Sequence, residues 1–237
     1  MATEDIKDWN QIAQRYNELV SPNHFINRQL QPVLWECLGD IRGRPVLDLG
    51  CGPGWFSQLM HEAGAQVIGV DGSGELLKAA RASYPHIQFI EHDLLEGLPP
   101  LGDAFDRIVA NMVLMDIPNL TRLMSAVREV LEPQGKFIFT MPHPCFFNLK
   151  SHRDEEGRLY KKVTGYLQPE VWLIEGFGGH NHYHRSLTFY FDHLRANRLA
   201  VTRLYEPKPQ SDTPRTGTDA AYYESISTFI LIEATAI

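Results

Sequence analysis

Cysteine is scarce: Cys37, Cys51 and Cys145 lie far apart in 237 residues, with no C-x-x-C pair. That spacing offers neither a disulfide framework nor a thiolate zinc site. Basic charge is also short. A net charge of −7 lacks the footprint of a chain that binds nucleic acid or an anionic membrane. No apolar run reaches the roughly 18 residues of a membrane span. The opening "MATEDIKDWN" is too acidic and polar for a targeting peptide. Repeats and low-complexity tracts are absent too. These absences lead to the expectation of a cytoplasmic chain, monomeric or homodimeric, with no nucleic-acid or membrane partner. The length suits a single α/β domain over 1–237 with a sizeable core.

What is present is alternation. From residue 45, "PVLDLG", "QVIGVDGS", "IQFIEHD", "FDRIVANMV" and "KFIFTMP" read as strands. Helical spacing in "WFSQLMHEAG", "GELLKAARASY" and "NLTRLMSAVREVLEPQG" falls between them. Such a rhythm implies right-handed βαβ crossovers and a mostly parallel, Rossmann-like sheet. Residues 1–40 form a helical N-terminal cap, with Ile6, Trp9, Ile12, Ala13, Tyr16 and Leu19 at helical spacing and Pro32 expected to start or kink a second helix. Residues 144–185 break the rhythm and read as a β-rich insertion. Its strands are "RLYKKVTGYL", "EVWLIEGF" and "HNHYHR", with Gly178-Gly179 as a two-residue hairpin turn. A helix at "SLTFYFDHLRANRL", a strand at "AVTRLYEP", a polar loop over 207–221 and a final strand at "STFILIEATA" complete the chain.

The first strand-to-helix turn, "VLDLGCGPG" from Val46 to Gly54, is where such sheets bind ligands. Its glycines permit positive φ and close backbone approach, and the following helix aims free N–H groups at any anion. A dinucleotide fingerprint G-x-G-x-x-G needs a third glycine at 55, which is Trp55, so an NAD-dependent dehydrogenase is disfavoured. The spacing is G-x-G-x-G, with Asp48 two residues ahead of Gly50. This resembles motif I of class I S-adenosylmethionine (SAM)-dependent methyltransferases of the small-molecule type, and the resemblance extends along the whole chain order.

The resemblance implies a seven-stranded sheet whose last strand inserts antiparallel. It also implies SAM as cofactor, S-adenosylhomocysteine as product and a small-molecule methyl acceptor. Asp48, Gly50, Cys51 and Gly52 would hold the cofactor at the turn. Asp71, with Gly72 and Ser73 beside it, ends the second strand where the family binds ribose hydroxyls; a carboxylate accepts two such bonds. Asp93 and Leu94 fall where adenine is read. Asn111 falls beside the methionine portion and the acceptor's entry, and Tyr16 matches a cap aromatic near both. The insertion at 144–185 would cover the acceptor pocket.

Methyl transfer from a sulfonium is direct displacement, so alignment is the main task. A hydroxyl, phenol or protonated amine must also lose a proton; a carboxylate need not. His143 in "TMPHPCFF", held between Pro142 and Pro144 with Phe146 and Phe147 as an apolar wall, is the leading candidate for a base or a pocket residue. In "GGHNHYHRS", His180, His182 and His184 share one face of a strand, since side chains alternate. Ideal rise puts His180 and His184 about 13 Å apart, too far for one metal to take all three. No further ligand motif accompanies them, so no metal is expected. His184 and Arg185 are expected to line the pocket or anchor the cap, His184 as a possible helper to His143. Ser186 would N-cap the next helix, Tyr183 would join the core, and His180 would face solvent.

Two other functions share these residues. A sensor or scaffold could bind SAM or its product without turnover. An RNA cytosine-5 methyltransferase would use Cys145 as nucleophile, but the chain is acidic and lacks a second matching cysteine. Transfer to a small acceptor, with O-methylation ahead of N-methylation, accounts best for the sequence.

Overall fold

A computed structural model describes residues 3–21, 23–102, 104–147, 149–176, 178–209, 219, 222 and 224–237. Helix α1 (Glu4–Leu19) starts where the Thr3 side chain accepts from the Ile6 amide and two acids occupy the first turn. Helix α2 (Phe25–Leu38) keeps Pro32 within its span, where the ring does not begin the helix as expected. It ends at Gly39, whose φ of 64° suits glycine.

The main sheet contains β1 (Pro45–Leu49), β2 (Gln66–Asp71), β3 (Gln88–Glu91), β4 (Phe105–Asn111), β5 (Leu131–Pro142), β10 (Leu199–Tyr205) and β11 (Phe229–Ala236). Its spatial order is β10-β11-β5-β4-β1-β2-β3. The pairs among β1 to β5 are parallel, with Leu47 opposite both Ile68 and Ile108. Strand β11 runs antiparallel to both of its neighbours, as the resemblance implied. The order reverses at β1, so the ends of β1 and β4 flank a crevice.

Alternate side chains serve two cores. Leu47, Leu49, Ile108, Phe137 and Phe139 pack with α5 (Thr121–Val130) and α6 (Leu187–Ala196). Val46, Val109 and Ile138 pack on the other face with α2, α3 (Trp55–Glu62) and α4 (Gly74–Ser83). Both faces of the central strands are therefore dry, which fits their near-continuous apolar runs.

Three local expectations need correction. The stretch "LEPQG" joins β5 instead of ending the preceding helix, because Leu131 pairs with Phe105 across the sheet. In the insertion, β6 (Ser151–Arg153) pairs with β7 (Leu159–Lys161), so the long "RLYKKVTGYL" strand shrinks to three residues with an unforeseen partner. Strands β8 (Glu170–Ile174) and β9 (His180–His184) form a second hairpin in which Ile174 faces His180. Their connection therefore spans 175–179, longer than a two-residue turn, with Gly178 and Gly179 both at positive φ. Most of the polar loop expected over 207–221 lies outside the described residues.

Candidate functional site

The glycine-rich turn leaves β1 with Gly50, Gly52 and Gly54 all at positive φ. At Gly50 the requirement is strict. A Cβ there would lie 2.2 Å from Cγ2 of Val113, in addition to the strain of φ 63°. The amides of Gly50 and Cys51 both donate to the Val70 carbonyl, which locks the turn against β2. Asp71, at the end of β2, accepts from the Gly52 amide on one carboxyl oxygen and from the Ser73 amide on the other, each at 2.8 Å. Burial nevertheless raises its pKa, against the pull of those two bonds.

Asp48 is buried beneath the turn and accepts from the Ser57 hydroxyl at 2.5 Å. Burial outweighs that bond and pushes its pKa up to about 7. Ser73 faces away from the crevice lining. Its hydroxyl N-caps α4 through the Leu76 amide and donates to Asn10 of α1, which fastens the cap helix to the core.

Two cavities meet above the strand ends. One is lined by Asp71, Gly72, Asp93, Leu94, Ile6 and Leu76 among others. The second includes Asp48, Cys51, Phe56, Phe147, His180 and His182. Trp9, Tyr16, Gly50, Gly52, Asn111, Met112 and Asp116 border both, so the two are halves of one crevice. Asn111 is oriented by the Thr140 hydroxyl, which donates to its Oδ1 at 2.6 Å. Asp93 N-caps a short helical turn through the Leu95 amide. The phenol of Tyr16 is buried, and this holds its pKa well above the ordinary value.

The histidine strand does present one face: His180, His182 and His184 are all buried, while Asn181 and Tyr183 are half-buried. His180 therefore does not face solvent. It packs on Trp9 of α1, ring centroids 4.5 Å apart, and its Nε2 stands 3.9 Å from Asp116. His182 stacks between Trp172 and Phe147. Burial pulls both pKa values down to about 4, so both rings are neutral at neutral pH. Tyr183 is not a core residue; its hydroxyl donates to Asp5 of α1. Among the described residues no group of three or more histidine, cysteine or acidic side chains could hold a metal ion.

Five of the sequence's other candidates sit beside the crevice without lining it. His143 has no nitrogen to offer an acceptor. The Cys145 amide donates to its Nδ1, so the ring proton is on Nε2, which donates to Glu206 at 2.8 Å. Burial also lowers its pKa despite that carboxylate. Phe146 stacks on the His143 ring. His184 donates from Nε2 to the Tyr166 carbonyl and stacks on Trp172. The Arg185 guanidinium donates to the carbonyls of Leu114, Ile117 and Pro118 at 3.2, 2.6 and 2.8 Å, so it clasps the insertion to the core. Cys145 is half-buried, absent from the lining, and its thiol pKa is raised by burial, which is no setting for a nucleophile.

Sequence reasoning missed Asp116, and it read Trp9 only as one residue of a helical stripe. Asp116 follows β4 in "VLMDIP", and that acid beside a strand end was the one available signal.

The fold and the crevice define a Rossmann-like, SAM-dependent methyltransferase. Comparison with known proteins agrees: a family described as a methyltransferase domain matches residues 22–190, and the chain belongs to it. A solved S-adenosylmethionine-dependent methyltransferase from Mesorhizobium loti superposes with a TM-score of 0.73 at 29% identity, over 86% of this chain and 95% of that one. Among curated proteins, trans-aconitate 2-methyltransferase of Rhodopseudomonas palustris is 38% identical over 128 residues, 53% of this chain and 46% of the relative. The match thus spans about half the length of that relative. An uncharacterized protein of Haemophilus influenzae is 27% identical over 79% of the chain and 78% of its own length. Among the described residues no helix is long and apolar enough to cross a membrane.

Proposed function

We propose that the chain transfers the methyl group of SAM to an oxygen of a small-molecule acceptor, a hydroxyl, phenol or carboxylate. The continuity of the crevice carries this reading: Asp71 and Gly72 stand at one end, His180 and His182 at the other. The residues present fit the cofactor. The cradle at Gly50 has room for hydrogen alone. Each oxygen of Asp71 keeps a lone pair beyond its backbone donor, enough for two ribose hydroxyls. The described lining contains five aspartates and neither lysine nor arginine, a setting that favours a ligand with positive charge.

When bound, the cofactor supplies a methyl group on a positively charged sulfur. In this reading Asp71 and Gly72 hold its ribose, and Asp93 with Leu94 reads the base. Asp48, Gly50, Cys51, Gly52 and Asn111 hold the amino-acid portion, and Tyr16 closes over it from α1. The insertion and α1 exclude water and fix the acceptor. Such alignment can remove of order 7–11 kcal/mol of entropic barrier. Relatives named for a small organic acid support a small acceptor.

Calorimetry with SAM, S-adenosylhomocysteine and NAD tests the cofactor assignment. Binding of the first two is expected, and tight NAD binding without SAM binding would overturn it. Release of S-adenosylhomocysteine over an acceptor panel tests transfer. SAM binding with no turnover across the panel would make the chain a sensor or scaffold.

A further inference from the structure

The half of the crevice beneath the insertion has a lining that decides which acceptors can enter. Its walls are rings from three separate segments: Trp9 of α1, Trp55 and Phe56 of α3, and Phe147 after β5, joined by the imidazoles of β9. Trp9 stands edge-on to Tyr16 and packs on His180, while His182 stacks on Phe147. Between these rings lies Asp116, whose Oδ1 is buried with no hydrogen-bond partner among the described residues. A buried polar oxygen left in that state is costly, and a ligand can relieve it.

Countercharge is missing from the same space. No lysine or arginine lines either half among the described residues. Arg185 acts on Asp116 at a distance but is absent from the lining; its guanidinium is engaged by three main-chain oxygens and Tyr190 and packs over Tyr183 and Phe189. His180 and His182 in the lining are neutral, as burial dictates, and burial lowers the pKa of His24 as well. A ligand carboxylate would lose its hydration among these rings and gain no lysine, arginine or charged histidine of the protein in exchange. A ligand hydroxyl brings no charge. It can donate or accept, so it satisfies Asp116 whichever oxygen of that group carries a proton.

Given the methyl-transfer reading above, we propose that this half of the crevice takes an uncharged, ring-bearing acceptor whose hydroxyl hydrogen-bonds Oδ1 of Asp116, and that it turns away di- and tricarboxylates. This separates the chain from the relatives named for trans-aconitate, whose acceptor is a tricarboxylate.

The test is calorimetry on protein saturated with S-adenosylhomocysteine, with 2-naphthol, 2-naphthoate and trans-aconitate as probes. The expected result is 2-naphthol binding at least about tenfold tighter than 2-naphthoate, with no trans-aconitate binding below about 1 mM. Asp116→Leu should weaken 2-naphthol by about tenfold or more while S-adenosylhomocysteine affinity changes far less, and Asp116→Asn should fall between. The Asn variant and the native probe series suffice if the Leu variant does not fold. Binding of either carboxylate as tightly as 2-naphthol overturns the proposal. So does failure of 2-naphthol to bind below about 1 mM, or an unchanged 2-naphthol affinity in both variants. S-adenosylhomocysteine affinity, measured first, reads the cofactor assignment by itself. If that fails, the probe series on the free protein still decides what the pocket admits.

Discussion

The amide of Gly52 donates to Oδ2 of Asp71 at 2.8 Å, tying the glycine-rich turn to the end of the neighbouring strand. One carboxylate thus shapes the cradle and keeps lone pairs for a ligand. Asp71→Ala should weaken S-adenosylhomocysteine binding by about 1.5–3 kcal/mol, since two amides and two ligand hydroxyls lose a shared acceptor. Calorimetry measures this, and an unchanged affinity would remove Asp71 from the site.

Gly50→Ala tests the cradle itself. The added methyl would collide with Val113 and keep a positive φ, so a loss of about 1–3 kcal/mol of stability and most cofactor affinity is expected. Adding Val113→Ala should return part of both. If the single variant binds as the native chain does, the close approach at Gly50 is not required.

Stability should respond to pH through buried groups that pull in opposite directions. His180 and His182 titrate near 4 when folded, below their unfolded value of about 6.5. The unfolded chain therefore binds more protons across that window, and their contribution is lost as pH falls from about 6.5 toward 4. Asp48, raised to about 7, acts in reverse: its burial costs stability as pH rises from about 4 to 7. Asn at position 182 removes one arm. Urea titrations should show His182→Asn gaining about 1–3 kcal/mol relative to the native chain between pH 7 and 4.5. No change in that difference would mean that His182 is solvated in the folded protein.

Arg185→Lys should loosen the insertion although charge is kept. A lysine ammonium cannot fan out to three carbonyls in the guanidinium's fixed geometry, so a loss of about 2–4 kcal/mol is expected. Hydrogen exchange in β8 and β9 should accelerate more than exchange in β4 and β5. Equal acceleration in both would show that the clasp stabilises the whole chain and not the insertion.

The sheet and the cradle could be read from sequence because both are local patterns. Runs such as "FDRIVAN" and the spacing of Asp48, Gly50 and Gly52 carry their meaning within a few residues. The half of the crevice proposed for the acceptor could not be read so fully, because it is assembled from distant segments. Period-two spacing put His180, His182 and His184 on one face, but not the face that α1 would cover with Trp9. The partner of His143 was hidden for a similar reason: its Nε2 is held by Glu206, brought near through the pairing of β10, β11 and β5. Asp116 follows a strand whose length was anticipated, yet its burial depends on the insertion folding back over it.

The hydrogen bonds by which Arg185 holds the turn after β4 all end on main-chain carbonyls, those of Leu114, Ile117 and Pro118. Those bonds would survive substitution at Pro118, which lines the crevice, whereas Leu114 and Ile117 are fixed by the core and the arginine has no substitute of equal reach. Descendants of this scaffold could therefore remodel the rim of their pocket, and with it their choice of acceptor, while the roof stays pinned in place.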